Sequence, residues 1–173
     1  NKINFIGPSA DSMNLCGDKM RCKEAMLEAK VPTVPGSPGL VKDADEAEKI
    51  ANDIGYPVLL KSVYGGGGRG IRLVTNDKEL QEGFETVTSE SIAAVGKSAI
   101  IVEKFLEKTR HIEYQMCRDK HGNTVHLFER ECSIQRRNQK LIEQTPSPVV
   151  DEAKREEIGE LVVKAAKAVD YTN

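Results

Sequence analysis

Four glycines in succession, Gly65 to Gly68, stand between two short apolar segments, Pro57-Val58-Leu59-Leu60 and Ile71-Arg72-Leu73-Val74. Lys61 precedes them, and Arg69-Gly70 follows. Short apolar runs on either side of a glycine cluster predict a strand, a loop and a returning strand. Without Cβ atoms, the loop amides can close on a ligand, and successive N–H groups flanked by two cations suit a polyphosphate. The pattern is not a P-loop, since no Gly-Lys-Ser/Thr leads into a helix. Nor is it the dinucleotide fingerprint, which needs a helix where this chain shows a second strand. From the loop alone, a phosphate cradle and a bare hairpin tip both stay open. Ile100-Ile101-Val102-Glu103-Lys104-Phe105-Leu106 tilts the reading towards the cradle, because an apolar strand ends there in a carboxylate.

A chain of 173 residues holds one domain or two small subdomains. With 39% hydrophobic and 30% charged residues it has the balance of a globular protein. A net charge of −2 supplies no bulk attraction to nucleic acid. No tryptophan and 5% aromatics leave few platforms for stacking on bases. No apolar run approaches the roughly 18 residues of a membrane span, and no basic-then-apolar signal segment opens the chain. The four cysteines, Cys16, Cys22, Cys117 and Cys132, form no Cys-x-x-Cys pair and have no histidine at zinc spacing. They read as reduced, mostly packed thiols of an intracellular protein, ahead of a redox or metal role. Asn1 at the start and a helical pattern reaching Tyr171 read as a piece of a larger enzyme.

Ile3-Asn4-Phe5-Ile6 predicts a short strand before the turn Gly7-Pro8-Ser9. A helix is expected from Gly17 to Lys30. Val31 to Gly39 carries Pro32, Pro35 and Pro38 with Gly36 and Gly39, and reads as a connector at a subdomain boundary. Asp43 or Asp45 is expected to cap a helix ending at Ile54, with Gly55 beyond it. Asn76 or Asp77 is expected to cap another running to about Thr88, while 89–98 is ambiguous between helix and loop. Strands follow at Arg110–Arg118, Thr124–Arg130 and Ser133–Ile142, with a turn at Lys120-His121-Gly122-Asn123. A final amphipathic helix has Ile158, Leu161, Val162 and Ala165 as its apolar stripe. The fold class is α+β. The domains read as 1–32, an N-terminal region and linking helix; 33–105, a lid subdomain bearing the glycine loop; and 106–173, the first part of a second subdomain. The 33–105 unit is expected to move as a body, with the glycine loop as its most mobile segment.

Arg130-Glu131-Cys132-Ser133-Ile134-Gln135-Arg136-Arg137-Asn138-Gln139-Lys140 is the second strong signal. It carries cations and amides where a strand normally packs apolar side chains, so it faces either an anion-rich pocket or solvent. Together with Phe5-Ile6-Gly7-Pro8, Gly17-Asp18-Lys19, Val34-Pro35-Gly36, Gly55-Tyr56-Pro57, Lys61 with its glycine loop, Glu103-Lys104-Phe105-Leu106 and Arg110-His111-Ile112-Glu113, it resembles the ATP-grasp fold. Within that fold, the Arg-His-Ile-Glu and Cys-Ser-Ile-Gln-Arg-Arg stretches resemble the biotin carboxylases. The resemblance covers nearly the whole chain in order.

What the resemblance implies is specific. Lys19 and Lys61 would contact the ATP phosphates, and Gly65, Gly66, Gly67, Gly68 and Gly70 would close over them. Glu103 would accept the adenine amino group, with the backbone of Lys104 and Leu106 at the ring edge. His111, Gln135 and Asn138 would line the ribose and phosphate side, and Lys140 would be catalytic, aimed at bicarbonate and the terminal phosphate. His121 and His126 have no matching role and read as structural or exposed. The cofactors implied are ATP and magnesium (Mg2+), with biotin as a carrier-bound substrate. The partners implied are bicarbonate, a biotin carboxyl carrier domain, a carboxyltransferase subunit and further copies in a homo-oligomer. Neither nucleic acid nor membrane is implied. The compartment implied is the cytoplasm, with the mitochondrial matrix left open.

Asn138 stands where the family commonly has histidine, which removes acid–base work at that position and is more like the propionyl-CoA branch. The family's magnesium-binding carboxylates and catalytic Glu and Arg would fall past Asn173, so no metal ligand is assigned and the 173 residues alone are expected to lack turnover. The final carboxyl acceptor is left open among acetyl-CoA, propionyl-CoA and pyruvate. Two alternatives stand beside this reading: another ATP-grasp ligase, such as a carbamoyl-phosphate synthase half, and a nucleotide-binding module without catalysis.

Overall fold

The structure, a computed structural model, describes residues 5–63, 70–137 and 139–172. The fold is α+β, with two separate three-stranded antiparallel sheets. Val34–Glu107 packs as one compact unit; the residues up to Thr33 join those from Lys108 onward in a second.

In the first unit β1 (Val58–Ser62) is central, between β2 (Ile71–Val74) and β3 (Ile100–Lys104). Alternation divides the sheet. Val58, Leu60, Val74, Ile100 and Val102 face inward onto α3 (Ala44–Ile54) and α4 (Asp77–Val95), meeting Ala47, Ala51, Leu80 and Val87 in the core. Burying each large aliphatic side chain contributes about 1.5–3 kcal/mol. Leu59, Lys61, Ile71, Leu73, Ile101 and Glu103 occupy the opposite face. Two matching caps start the helices. Asp43 accepts from the Glu46 N–H at 2.9 Å while Glu46 reaches back to the Lys42 N–H at 2.8 Å. Asn76 accepts from the Glu79 N–H at 3.1 Å while Glu79 reaches the Thr75 N–H at 2.9 Å. With Gly96 in the left-handed region as its stop, α4 runs on to Val95, so the ambiguous stretch after Thr88 is largely helix.

The Pro/Gly connector does more than link. It lies along the free edge of β3, where Ser37 N–H donates to Val102 O and Val41 N–H to Ile100 O, both at 2.8 Å. A side chain at Gly36 would lie 2.3 Å from Val102 O, so only glycine lets the two backbones approach this closely.

In the second unit, the helix expected over Gly17–Lys30 is present, and a helix with no counterpart in the sequence reading precedes it. α1 (Ala10–Gly17) stops at Asp18, and α2 (Lys19–Glu28) starts there. The Asp18 carboxylate accepts from the N–H groups of Met20 and Arg21, and this local capping bond wins over helical continuation. Phe5 and Ile6 are exposed and not in a strand, because no neighbouring strand pairs with them among the described residues. The second sheet is β4 (Ile112–Arg118), β5 (Thr124–Arg136) and β6 (Gln139–Gln144), in that order. The expected break between Arg130 and Ser133 is absent. β5 absorbs Glu131-Cys132 with register shifts, and the chain reverses at Arg137, which has a φ of 51°. α5 (Glu152–Ala168) packs on β4 and β5, capped by Asp151. Its closest approach is at Gly159, where an added Cβ would meet the His126 ring at 2.3 Å.

Candidate functional site

The first cluster lies on the open face of the β1–β3 sheet. Lys61 and Glu103 sit diagonally across β1 and β3 and form an ion pair. Both keep about a quarter of their side chains exposed, so the pair is reachable. Ile71 and Leu73 present partly exposed apolar surface on the same face. The end of β3 is shaped by its neighbours. Lys104 N–H donates to Pro35 O at 2.8 Å, but Pro35 has no N–H to return the bond, so the Lys104 carbonyl is left as an acceptor at the strand end. The Lys104 ammonium is tied to the carbonyls of Gly55 and Tyr56, both at 2.8 Å, and braces the strand instead of facing a ligand. Leu106 is half exposed just beyond. Gly70 adopts a φ of 69° and its carbonyl accepts from Ser62 N–H at 2.8 Å, which closes the base of the hairpin. Gly65 to Gly68 lie outside the described residues, as does Asn138.

The second cluster gathers on the β4–β6 sheet around Glu113. Lys140, Arg130 and His111 all converge on its carboxylate, with the His111 Nε2 at 3.2 Å. These partners, Lys140 first, hold the Glu113 carboxyl down at about 2, while Glu113 pushes the Lys140 ammonium up. Lys140 is therefore a fixed cation at neutral pH and not a base. Gln115 accepts from Arg130 at 3.2 Å, and Glu143 approaches the same guanidinium at 3.5 Å. Backbone bonds lock the ends. Cys132 N–H donates to His111 O at 2.7 Å, and His111 N–H donates to Ser133 Oγ at 2.8 Å. Gln135 turns its amide to Cys132 O at 2.9 Å.

Of the residues singled out from the sequence, the structure brings Lys61 beside Glu103 and His111 beside Lys140. Lys19 is exposed at the start of α2. Glu113 and Arg130 were in the quoted motifs but had no assigned role. Glu113 lies two residues after His111, and Arg130 is its register partner on β5, a pairing that only the sheet reveals. Among the described residues no group of three His, Cys, Asp or Glu side chains is arranged for a metal. The cysteines depart from expectation, since only Cys132 is buried, while Cys16 and Cys117 are exposed.

Two open antiparallel sheets, one with a lysine–glutamate pair and one with a cation-rich strand, define an ATP-binding domain of the ATP-grasp class. The sequence matches the family described as "Carbamoyl-phosphate synthase L chain, ATP binding domain" over residues 18–173, and the chain belongs to that family. It is 51% identical over 170 residues to the biotin carboxylase of Nostoc sp., covering 98% of this chain and 38% of that protein. Among solved structures it resembles the biotin carboxylase domain dimer of Hydrogenobacter thermophilus 2-oxoglutarate carboxylase, in complex with MgADP, ADP and bicarbonate. The identity is 53%, the TM-score 0.86, and the coverage 99% of this chain and 38% of that one. It also resembles the Campylobacter jejuni biotin carboxylase–β,γ-ATP complex at 47% identity and a TM-score of 0.87, with 99% and 38% of the two chains covered. The chain thus spans well under half the length of the relatives it matches. No helix among the described residues is long and apolar enough to cross a membrane.

Proposed function

We propose that the protein carrying this chain is a biotin carboxylase, an ATP-dependent ligase. It would activate bicarbonate with MgATP as carboxyphosphate and carboxylate biotin held on a carrier domain. The observation that carries this reading is the Glu113 cluster. It joins the Arg-His-Ile-Glu stretch to the Cys-Ser-Ile-Gln-Arg-Arg strand, the two stretches most particular to that activity. Phosphoryl transfer needs positioning and charge neutralisation more than covalent chemistry from the protein. Lys140, held protonated and aimed by Glu113, supplies a fixed positive charge for the bicarbonate anion and the terminal phosphate. Lys61 takes a phosphate, and Glu103 with the Lys104 carbonyl takes the adenine amino group. Ile71 and Leu73 give the ring an apolar seat. Lys19, His111, Gln135 and Asn138 are assigned further polar contacts with the nucleotide, and Gly65, Gly66, Gly67, Gly68 and Gly70 are assigned to its phosphates. Magnesium neutralises phosphate charge when bound; no ligand for it is assigned in this chain. A carboxyl carrier domain, a carboxyltransferase and further copies of the chain are the partners, in the cytoplasm or a mitochondrial matrix.

The family description favours one other reading, carbamoyl-phosphate synthesis. ADP release by the full-length protein separates the two. Stimulation by bicarbonate that rises further with biotin supports the proposal, and loss of that stimulation in Lys140→Met with nucleotide still bound assigns Lys140. Stimulation by ammonia with no response to biotin would replace it with the synthase reading. Nucleotide binding with no turnover on any acceptor would reduce it to a binding module.

A further inference from the structure

Lys104 ends β3 with two polar groups that do different things. Its carbonyl is the acceptor assigned above to the adenine amino group. Its ammonium donates to Gly55 O and Tyr56 O, both at 2.8 Å. Those two carbonyls belong to the turn that joins α3 to β1. Unpaired carbonyls at a helix end favour a cation, and α3 has no basic residue in its own last turn. Lys104 brings that cation from another element. The turn is held at a second point, where the Tyr56 hydroxyl donates at 2.8 Å to Asp77 Oδ1 at the start of α4. The next residue of the turn, Pro57, accepts from Phe105 N–H at 3.0 Å. Phe105 N–H and Lys104 C=O share one planar trans peptide and point in opposite directions. Fixing the N–H on Pro57 O therefore fixes the direction of the carbonyl. Behind it, Lys104 N–H is tied to Pro35 O at 2.8 Å.

We propose that the Lys104 ammonium is a positioning group for nucleobase selection. By holding the α3–β1 turn it keeps Pro57 O in place, and through Phe105 N–H it keeps the Lys104 carbonyl turned as a fixed acceptor. The inference rests on the nucleotide role proposed above. Adenine presents an amino donor where guanine presents an oxygen acceptor. A fixed carbonyl, with the Glu103 carboxylate, accepts from the first and repels the second. Without the brace the 104–105 peptide can rotate. Rotation weakens the bond to the amino group and relieves the repulsion of the oxygen, so the preference for ATP over GTP falls. The ammonium touches no ligand in this role; it acts through Pro57 and Phe105.

The experiment uses the full-length protein, with ATP and GTP titrated separately by calorimetry in the absence of bicarbonate and biotin. Hydrogen exchange over residues 103–107 is followed without nucleotide. Lys104→Met is expected to lower the ratio of ATP to GTP affinity by about tenfold or more, the scale of one lost hydrogen bond. Exchange at the Phe105 N–H should speed by about tenfold. Tyr56→Phe loosens the same turn from its other anchor and leaves Lys104 in place, and Lys104→Arg keeps a cation with several donors. Both should give smaller changes, with preference falling in step with Phe105 exchange. Any folded variant in which exchange speeds while preference stays constant overturns the proposal, because the brace would then support the fold alone. So does a lower preference with exchange unchanged, or no change in either readout across the folded variants. An unaltered protein with no preference for ATP also overturns it, whatever its response to biotin. A preference that depends on Lys104 in a protein whose ADP release ignores biotin would overturn the carboxylase reading and uphold this inference.

Discussion

Lys61 and Glu103 illustrate how much a single pair can carry. A free lysine at the end of an apolar strand is costly, and the structure resolves that cost by pairing it across the sheet with the one carboxylate on the neighbouring strand. A ligand that takes both side chains must replace this pair with an anion for Lys61 and a donor for Glu103, as ATP does with its phosphates and amino group. The two roles are therefore linked. Lys61→Met is expected to weaken ATP binding by about 1.5–3 kcal/mol, the usual range for a charge-assisted contact. Glu103→Gln is expected to weaken ATP relative to GTP. The double variant should lose less than the sum of the two, with a coupling of roughly 0.5 kcal/mol or more. Calorimetric titration of ATP into the four proteins measures the cycle, and strict additivity would show that the pair does not act as one unit. Lys61 and Glu103 were each legible in the sequence from their places at strand ends. Their pairing was not, because cross-strand register is a long-range property.

At the scale of elements, the contact between α5 and β5 shows which helix positions matter. The sequence gives α5 a stripe of Ile158, Leu161, Val162 and Ala165, all of them only partly buried. Fully buried on the helix are Gly159 and Ala166, where the missing bulk lets the backbone approach the sheet. His126 fills the space over Gly159. Its ring is held edge-on by Phe128 at 5.2 Å and Tyr114 at 6.0 Å between centroids, so it has little freedom to swing aside. Gly159→Ala should therefore destabilise the protein by about 1–3 kcal/mol, as overpacking does, against the small gain expected from alanine's helix propensity. Thermal melts should show that this loss shrinks in a His126→Ala background. An equal loss in both backgrounds would mean the ring is not what opposes the new methyl. His126 has no role readable from sequence. Only the packing of α5 makes it a structural wedge.

At the scale of the whole molecule, Glu129 governs the response to acid. It is fully buried on β5, receives the Arg155 guanidinium from α5 through both oxygens at 2.8–3.0 Å, and accepts from Ser147 N–H at 3.1 Å. These donors, Arg155 foremost, hold its carboxyl down at about 2 against an ordinary value of 4.5. A depressed folded value means the unfolded chain binds the proton first. The stabilisation is complete above about pH 5 and is lost as the pH falls through 4.5 towards 2. Glu113, also held at about 2, adds to the same window. Glu129→Gln should cost about 3 kcal/mol at neutral pH, towards the low end for a broken buried pair because Arg155 keeps some access to water. It should also flatten the decline of denaturation midpoints between about pH 6 and pH 3. An unchanged acid slope would remove Glu129 from the account. Sequence alone determined most of the element types, the starts of α3 and α4 to within two residues, and the two strands that flank the glycine run, because these follow from periodicity, propensity and local hydrogen bonds. Tertiary structure alone decided the unbroken run of β5 and the gathering of Lys140, Arg130 and His111 on Glu113. Each of these depends on which distant backbone a side chain meets, and no local pattern encodes that meeting.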